Sequence, residues 1–303
     1  MMKHFSIGAA LAAVALGATG GALAQSESKS RAARAPLAVV ELVQMPAWVE
    51  RGAASTPLVP GMELRDRDQL KTGANSRLLL RMADGSLVKL GERGSLGLDA
   101  MRMRGDSVFE AALKVAQGAF RFTTQAAAKF RGKREINITV ATVTAGIRGT
   151  DLWGKSAPDR EIVCLIEGRI EVTPPGENPI AMEQPLSFYI RDKGQSQPVV
   201  PVPMEQLKEW AAETEPQPGQ GISKRGGKFR ITASGLAYGQ AQALYDDLRR
   251  AGYPAEIIPA RIKDKRVYNV RLSNLETQKD AEFVAAKLKG DAGFGKHEYR
   301  VGT

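Results

Sequence analysis

Cysteine occurs once in this sequence, at Cys164, and histidine twice, at His4 and His297. One thiol cannot close a disulfide within its own chain. A zinc centre or a histidine-based triad has too few ligands or bases to draw on, so those chemistries are excluded before any motif is sought. Phosphate-cradling glycine loops are missing as well, because the glycine-rich run Gly17-Ala18-Thr19-Gly20-Gly21 falls inside an apolar N-terminal stretch. Proline accounts for only 16 of 303 residues, too few for a low-complexity chain. What is present is a globular composition, 43% hydrophobic and 25% charged, at a length that predicts two domains. No metal, no cofactor and no catalytic residue set is expected.

Beyond the N-terminus no apolar run is long enough to span a bilayer. At the N-terminus, Lys3 precedes an apolar stretch from Phe5 to Leu23 that ends in Ala22-Leu23-Ala24 before a polar run, Gln25 to Arg34. A basic start, an apolar middle and small residues at the exit form the pattern of a secretory signal peptide, here cleaved after Ala24. Gly8, Gly17, Gly20 and Gly21 within the stretch argue against a retained membrane helix. The expected address is periplasmic, with no transmembrane anchor after cleavage and a disordered lead over residues 25–36.

Negative charge is in short supply, leaving a net charge of +10. From Lys224 to Thr303 there are 16 Lys and Arg against nine Asp and Glu, so the last quarter of the chain holds most of the excess. A basic module suits a polyanionic partner. Export argues against nucleic acid and leaves lipid head groups and the peptidoglycan as the polyanions within reach.

From residue 37 to 195, short apolar runs alternate with turn residues at close intervals, which predicts an all-β domain of roll or sandwich type. Arg77 to Met82 and Leu87 to Leu90 flank Asp84-Gly85 as a hairpin; Ile136 to Thr144, Glu161 to Ile166 and Ile170 to Val172 read as strands. Val108 to Val115 fits either a strand or a helical turn. Residues 196–227 change character: five prolines flank a short helix around Leu207 and Trp210, and an extended Pro/Gly linker follows from Glu215 to Gly227.

Residues 228–303 contain a repeat with a period of about forty residues, long enough for one strand-helix-strand unit. Phe229-Arg230-Ile231-Thr232-Ala233-Ser234 matches Tyr268-Asn269-Val270-Arg271-Leu272-Ser273, and each leads into a helix, one striped by Ala241, Leu244, Tyr245 and Leu248, the other by Ala281, Val284, Ala285 and Leu288. With strands over Ala255 to Ile262 and Glu298 to Val301, the product is βαββαβ, a four-stranded antiparallel sheet with two helices on one face. The fold class is therefore multidomain, all-β followed by α+β.

On the repeated register, on Ala251-Gly252-Tyr253-Pro254-Ala255 after the first helix and on Tyr268-Asn269-Val270-Arg271-Leu272 as third strand, the C-terminal module resembles the SPOR domain. That resemblance implies binding of peptidoglycan, specifically glycan strands stripped of their stem peptides. The β-domain resembles the FecR domain on Gly61-Met62-Glu63-Leu64, Leu70-Lys71-Thr72-Gly73, Met82-Ala83-Asp84-Gly85-Ser86 and Thr142-Val143-Thr144-Ala145-Gly146-Ile147-Arg148-Gly149-Thr150, with Leu165-Ile166-Glu167-Gly168 downstream. The cytoplasmic region and membrane helix of that namesake family find no counterpart. Sigma-factor regulation is accordingly not carried over, and the implied role is an envelope interaction domain with a protein partner.

Strand alternation sends Phe229, Ile231, Tyr268, Val270 and Leu272 toward the helices and leaves Arg230, Thr232, Ser234, Asn269, Arg271 and Ser273 on the open sheet face. These six are the candidate glycan-binding residues, hydrogen-bonding groups without bulk that suit a flat polar sugar chain. An RNA-binding sheet of the same topology would need exposed aromatics there. Elsewhere, Gly149 and Gly168 take turn roles, and Arg148 is read as fixed beside a turn by Asp151 or a backbone carbonyl. Cys164, within a run of Val and Leu, is read as a buried thiol. Asp66 and Asp68, alternating with Arg65 and Arg67, are read as a solvated loop rather than a glycosidase carboxylate pair. The resulting expectation is an exported, non-enzymatic peptidoglycan-binding protein, acting at the wall and at division sites. The alternative is an envelope sensor or assembly factor working through the FecR-like domain.

Overall fold

Apolar residues at every second position pair into strands from Ala38 onward. The computed structural model describes residues 36–105, 107–124, 130–147 and 149–303. The expected signal peptide, residues 25–35 of the lead and Arg148 lie outside the described residues. The chain begins with β1 (Ala38–Gln44), β2 (Ala47–Arg51), β3 (Ala54–Pro57), β4 (Glu63–Leu64), β5 (Gln69–Thr72), β6 (Arg77–Met82), β7 (Leu87–Leu90), β8 (Ser95–Arg104) and β9 (Val108–Thr123). It continues through β10 (Lys133–Val140), β11 (Val143–Ile147), β12 (Asp151–Ala157), β13 (Arg160–Glu167), β14 (Ile170–Thr173), β15 (Ile180–Met182), β16 (Ser187–Asp192), β17 (Gln195–Ser196), β18 (Val200–Pro201) and the helix α1 (Met204–Thr214).

These strands form two sheets that share β9. Its second half pairs with β7 and β12, its first half with β8 and, in parallel, with β10. One sheet runs β1-β6-β7-β9-β12-β13-β16 and the other β3-β2-β5-β8-β9-β10-β11-β14-β15. Leu80, Val88, Phe122, Leu152 and Val163 from the first meet Val49, Leu96, Leu113, Ile138 and Val172 from the second in one buried core. Val108 to Val115, open between helix and strand in the sequence, is strand. Ile136 to Thr144 does not stay a single strand: it reverses at Ala141 and Thr142, so that Val140 faces Val143. β-Branching favours extended backbone and says nothing about where the chain turns.

At Gly168 the chain leaves the first sheet, where β13 lies, and enters the second, where β14 pairs with β11. Gly168 has φ +88°, and a Cβ there would stand 2.3 Å from the Gly149 carbonyl oxygen, so the crossing admits no side chain. The outer face of the first sheet is not solvated at β12 and β13. There α1 packs over it, stacking Trp210 on Trp153 with ring centroids 4.8 Å apart above Cys164 and Ile162. Burial on both faces explains the continuous apolar run of β13, whose side chains alternate between the main core and the one beneath α1.

The C-terminal part comprises β19 (Ile222–Lys224), β20 (Phe229–Leu236), α2 (Tyr238–Arg250), β21 (Glu256–Ile262), β22 (Lys265–Leu275), α3 (Gln278–Gly290) and β23 (Tyr299–Gly302). The sheet order is β21-β22-β20-β23, antiparallel throughout. Ala241, Leu244 and Leu248 of α2 and Ala281, Val284 and Leu288 of α3 bury against Ile231, Ala233, Val270 and Leu272. The fold is thus an all-β region followed by a βαββαβ unit.

The stretch from Glu215 to Gly227 is more than a tether. Within it β19 pairs with β1 on one side and touches the end of β22 on the other, Ser223 facing both Val43 and Leu275. The Asp280 carboxylate, 1% exposed, accepts from the amides of Gly221 and Ile222 at 3.0 and 2.9 Å while its other oxygen caps α3 at Thr277. Behind this strand Gly252, with φ +85°, lies so close to Trp48 that a Cβ would come within 2.7 Å of the indole. Lys287 Nζ donates to the Ala74 carbonyl across the same junction. Pro and Gly content marked this segment as extended, and extended backbone is what a bridging strand also requires. The described residues 36–303 form one compact unit.

Candidate functional site

The helices cover one face of the C-terminal sheet and leave the other open. Of the six residues assigned to that face, Ser234 is exposed and Arg230, Thr232, Asn269, Arg271 and Ser273 are half-buried, while Ile231, Ala233, Val270 and Leu272 between them are buried. Register sets the rows. Thr232 on β20 lies opposite Arg271 on β22 and opposite Arg300 on β23, with Glu256 on β21 completing the row beyond Arg271. Arg230 stands two residues along β20, opposite Gly302. The strand bulges between Ala233 and Leu236, and there the Gly235 amide donates to Asn269 Oδ1 at 3.1 Å. Asn269 therefore holds the bulge with its acceptor and has its amide nitrogen left for a ligand.

Arg300 was missed by the sequence reading. The last strand was placed correctly to within a residue, but its alternation was not carried across the sheet to find which side chain joins Thr232. The apolar margin was missed too. Ile258, Ala260 and Val267 fall on the open side of the β21–β22 hairpin, and Ile262, 52% exposed, reaches back toward Gly235. A cationic, hydroxyl-bearing floor beside an apolar rim is the surface a sugar ring needs, hydroxyls on its edge and C–H bonds on its face.

Around the β20 edge, a groove of about 590 Å³ opens between α2 and the loop before β23, lined by Ser234, Gly239, Gln240, Ala243, Lys296 and His297 among others. Burial and the neighbouring Lys296 push His297 below its ordinary value, which leaves it neutral near pH 7.

Two other candidates resolve differently. Cys164 is buried under α1, and desolvation pushes its thiol up to about 12, which removes it as a nucleophile. Asp68 is no part of a solvated loop: it is 2% exposed, takes both Arg51 Nε and Nη2 at 2.7 and 2.8 Å, and accepts the Arg65 amide. Asp66 accepts the Met101 amide. Alternating charge in sequence concealed one inward carboxylate that closes a turn against β2. Among the described residues no cluster of His, Cys, Asp and Glu is arranged to hold a metal, and no helix is long and apolar enough to cross a membrane.

Comparison with known proteins gives two family matches, "FecR protein" over residues 68–171 and "SPOR domain" over residues 226–300. No curated protein sequence matches. Two crystal structures of a "putative anti-sigma factor" from Parabacteroides distasonis, at 2.50 and 1.65 Å resolution, align with 74% of this chain and 91% and 92% of theirs, at 13% identity. Their TM-scores are 0.39 and 0.38. The polar side chains of the open sheet face, from Arg230 to Arg300, lie within the second family match, and the all-β region contains the first: the chain carries a FecR domain followed by a SPOR domain.

Proposed function

We propose that this protein binds the glycan strands of peptidoglycan through the open face of its C-terminal sheet, without catalysing a reaction. On this reading it is exported, released after Ala24, and presents its FecR domain at the wall, including division sites where stem peptides are removed. The observation that carries the reading is the row Arg271-Thr232-Arg300 with Arg230, Ser234, Asn269 and Ser273 around it, polar groups on a face that the helices do not cover, inside a SPOR domain.

Joint replacement of Arg230 and Arg271 by alanine is expected to reduce retention of the protein on purified sacculi at least several-fold. Among the described residues neither guanidinium holds a side-chain partner, so truncating these two half-buried arginines breaks no ion pair or hydrogen bond and the thermal midpoint should move little. Equal retention of variant and wild type would place the wall contact elsewhere.

A second reading, an envelope sensor or assembly factor with a protein partner, draws on a different surface. The outer face of β10, β11, β14 and β15 forms a shallow depression of about 1050 Å³, lined by Lys133, Glu135, Asn137, Gly146, Arg169 and Glu171 among others. Its small floor residues and mixed charges suit a polypeptide more than a sugar chain.

A further inference from the structure

At one end of the C-terminal sheet the β21–β22 hairpin outruns its neighbour. The last residue pair of β20 with β22 is Leu236 with Tyr268. Beyond it Ala260 to Ile262 and Lys265 to Val267 pair only with each other, across a turn in which Lys263 and Asp264 both have positive φ. A two-stranded ribbon with no third strand or helix against it has little to bury, and its side chains stand in solvent. Every residue from Arg261 to Arg266 is exposed. They comprise the cations Arg261, Lys263, Lys265 and Arg266, a single acid, Asp264, and Ile262. Other cations of the same module pair with a nearby acid: Lys224 with Glu276, Arg250 with Asp247 at 2.7 Å, Lys289 with Glu298 at 2.6 Å. Among the described residues none of the four ribbon cations makes a side-chain hydrogen bond or an ion pair, even with Asp264 beside them.

The register concentrates the charge. Arg261 stands directly opposite Arg266, so two cationic residues leave the same face of the ribbon from Cβ atoms about 5 Å apart. Like charges so placed are destabilising in water and are relieved when anions lie against them. On the other face Lys265 stands across from Ile262. Cations alone would suit any polyanion, the carboxylates of wall peptides among them. What separates the cases is apolar. Ile262 is half exposed at the tip, and Tyr238 at the start of α2 is 60% exposed, its ring 5.2 Å from that of Tyr268, two residues behind Arg266. An aliphatic side chain and a tyrosine set among unpaired Lys and Arg match the head-group layer of a bilayer, where phosphates take the cations and the acyl boundary takes the apolar groups. A hydrated carboxylate polymer gives those apolar groups nothing to meet.

We propose that the tip of the β21–β22 hairpin, Arg261 to Arg266, docks the protein on an anionic phospholipid surface, with its four cations on head-group phosphates and Ile262 at the acyl boundary. This goes beyond the glycan-binding reading and does not depend on it. The tip lies at the end of the strands, so a bilayer met end-on leaves the open face of the sheet uncovered.

The test is sedimentation with vesicles of phosphatidylcholine, alone or with about one-third phosphatidylglycerol. The protein used begins at Gln25, which removes the apolar N-terminal stretch as a lipid binder of its own; residues 36–303 form one compact unit without it. Wild type is expected to sediment with the anionic vesicles and not with phosphatidylcholine alone. Arg261→Gln, Lys263→Gln, Lys265→Gln and Arg266→Gln together should weaken that binding at least about tenfold, each cation near an anionic surface being worth about fivefold. A control of equal charge, with the exposed β-domain residues Arg93, Lys114, Arg160 and Lys193 changed to Gln, should weaken it no more than about threefold. Ile262→Ser should weaken it several-fold at unchanged charge. Equal losses in the hairpin and control variants would reduce the binding to net charge and overturn the proposal. An Ile262 variant equal to wild type would leave a purely ionic contact and overturn the lipid assignment. A hairpin variant that keeps its vesicles and is lost from purified sacculi would give the ribbon to wall carboxylates. Wild type that ignores anionic vesicles and holds sacculi would overturn the docking point and leave the glycan reading standing.

Discussion

Replacing Trp210 by alanine is expected to lower the stability of the β-domain by about 3 kcal/mol or more, the range for deleting a buried aromatic side chain. The indole is 8% exposed and stacks face to face on Trp153, with Phe188 edge-on to it at 5.3 Å. Without it α1 keeps Leu207, the ion pair of Lys155 with Glu213 and, at its C-cap, the pairs of Glu215 with Lys89 and Arg121, all partly solvated and each contributing little. The helix should therefore leave the sheet before the sheet itself melts. Cys164 offers a direct readout because it is the one thiol of the chain and lies beneath the helix. In wild type, burial and a thiol pushed up to about 12 should keep it inert to a disulfide reagent at pH 8. In the variant it should react with the full stoichiometry under native conditions. An unreactive thiol and an unchanged unfolding midpoint would show that α1 is not held by this stack.

Asp280→Ala is expected to separate the two parts of the molecule. The carboxylate takes the Gly221 and Ile222 amides with one oxygen and the Thr277 amide and hydroxyl with the other, so a single truncation orphans three backbone donors at once. Two of those donors belong to the segment entering β19, which joins β1 to the end of β22. At about 1–3 kcal/mol for each buried donor left unpaired, and with the Thr277 Oγ1 cap on the residue 280 amide retained, the junction should loosen well before either core does. Calorimetry should then resolve two transitions where wild type is expected to show one. A single transition at the wild-type midpoint would mean that β19 is held by its strand pairings alone.

Much of the C-terminal module was legible because its physics is local. Period-two alternation in Phe229 to Ser234 and in Tyr268 to Ser273, next to period-3.6 stripes, fixes which residues face the helices, and Ile231, Val270, Leu272, Ala241, Leu244, Val284 and Leu288 are all buried. The six open-face residues follow from the same rule. What alternation along one strand cannot supply is the neighbour across the sheet. Arg300 joins Thr232 only through the register of β20 with β23, a pairing between residues far apart in sequence.

The β-domain was legible as strands and not as sheets. The run from Ile136 to Thr144 has the same composition before and after its reversal, so propensity alone could not cut it in two. Asp68 reads as one more charge in a polar loop until Arg51, 17 residues away, is seen to meet it. The Pro/Gly stretch before Gly227 looks like a flexible connector because flexible connectors and isolated bridging strands share a composition. Its partners, Val43 and Leu275, lie far away along the chain on either side.

The central claim is that the open face of the C-terminal sheet is where the protein meets glycan. Amide chemical-shift mapping of the isotopically labelled protein, titrated with amidase-stripped glycan strands, tests it most directly. The account predicts that the perturbed amides cluster on β20, β22 and β23 around Thr232, Ser234, Asn269, Arg271 and Arg300, with α3 and the β10–β11 face unmoved. Perturbations confined to the helices or to the β-domain, with that cluster silent at saturation, would contradict it.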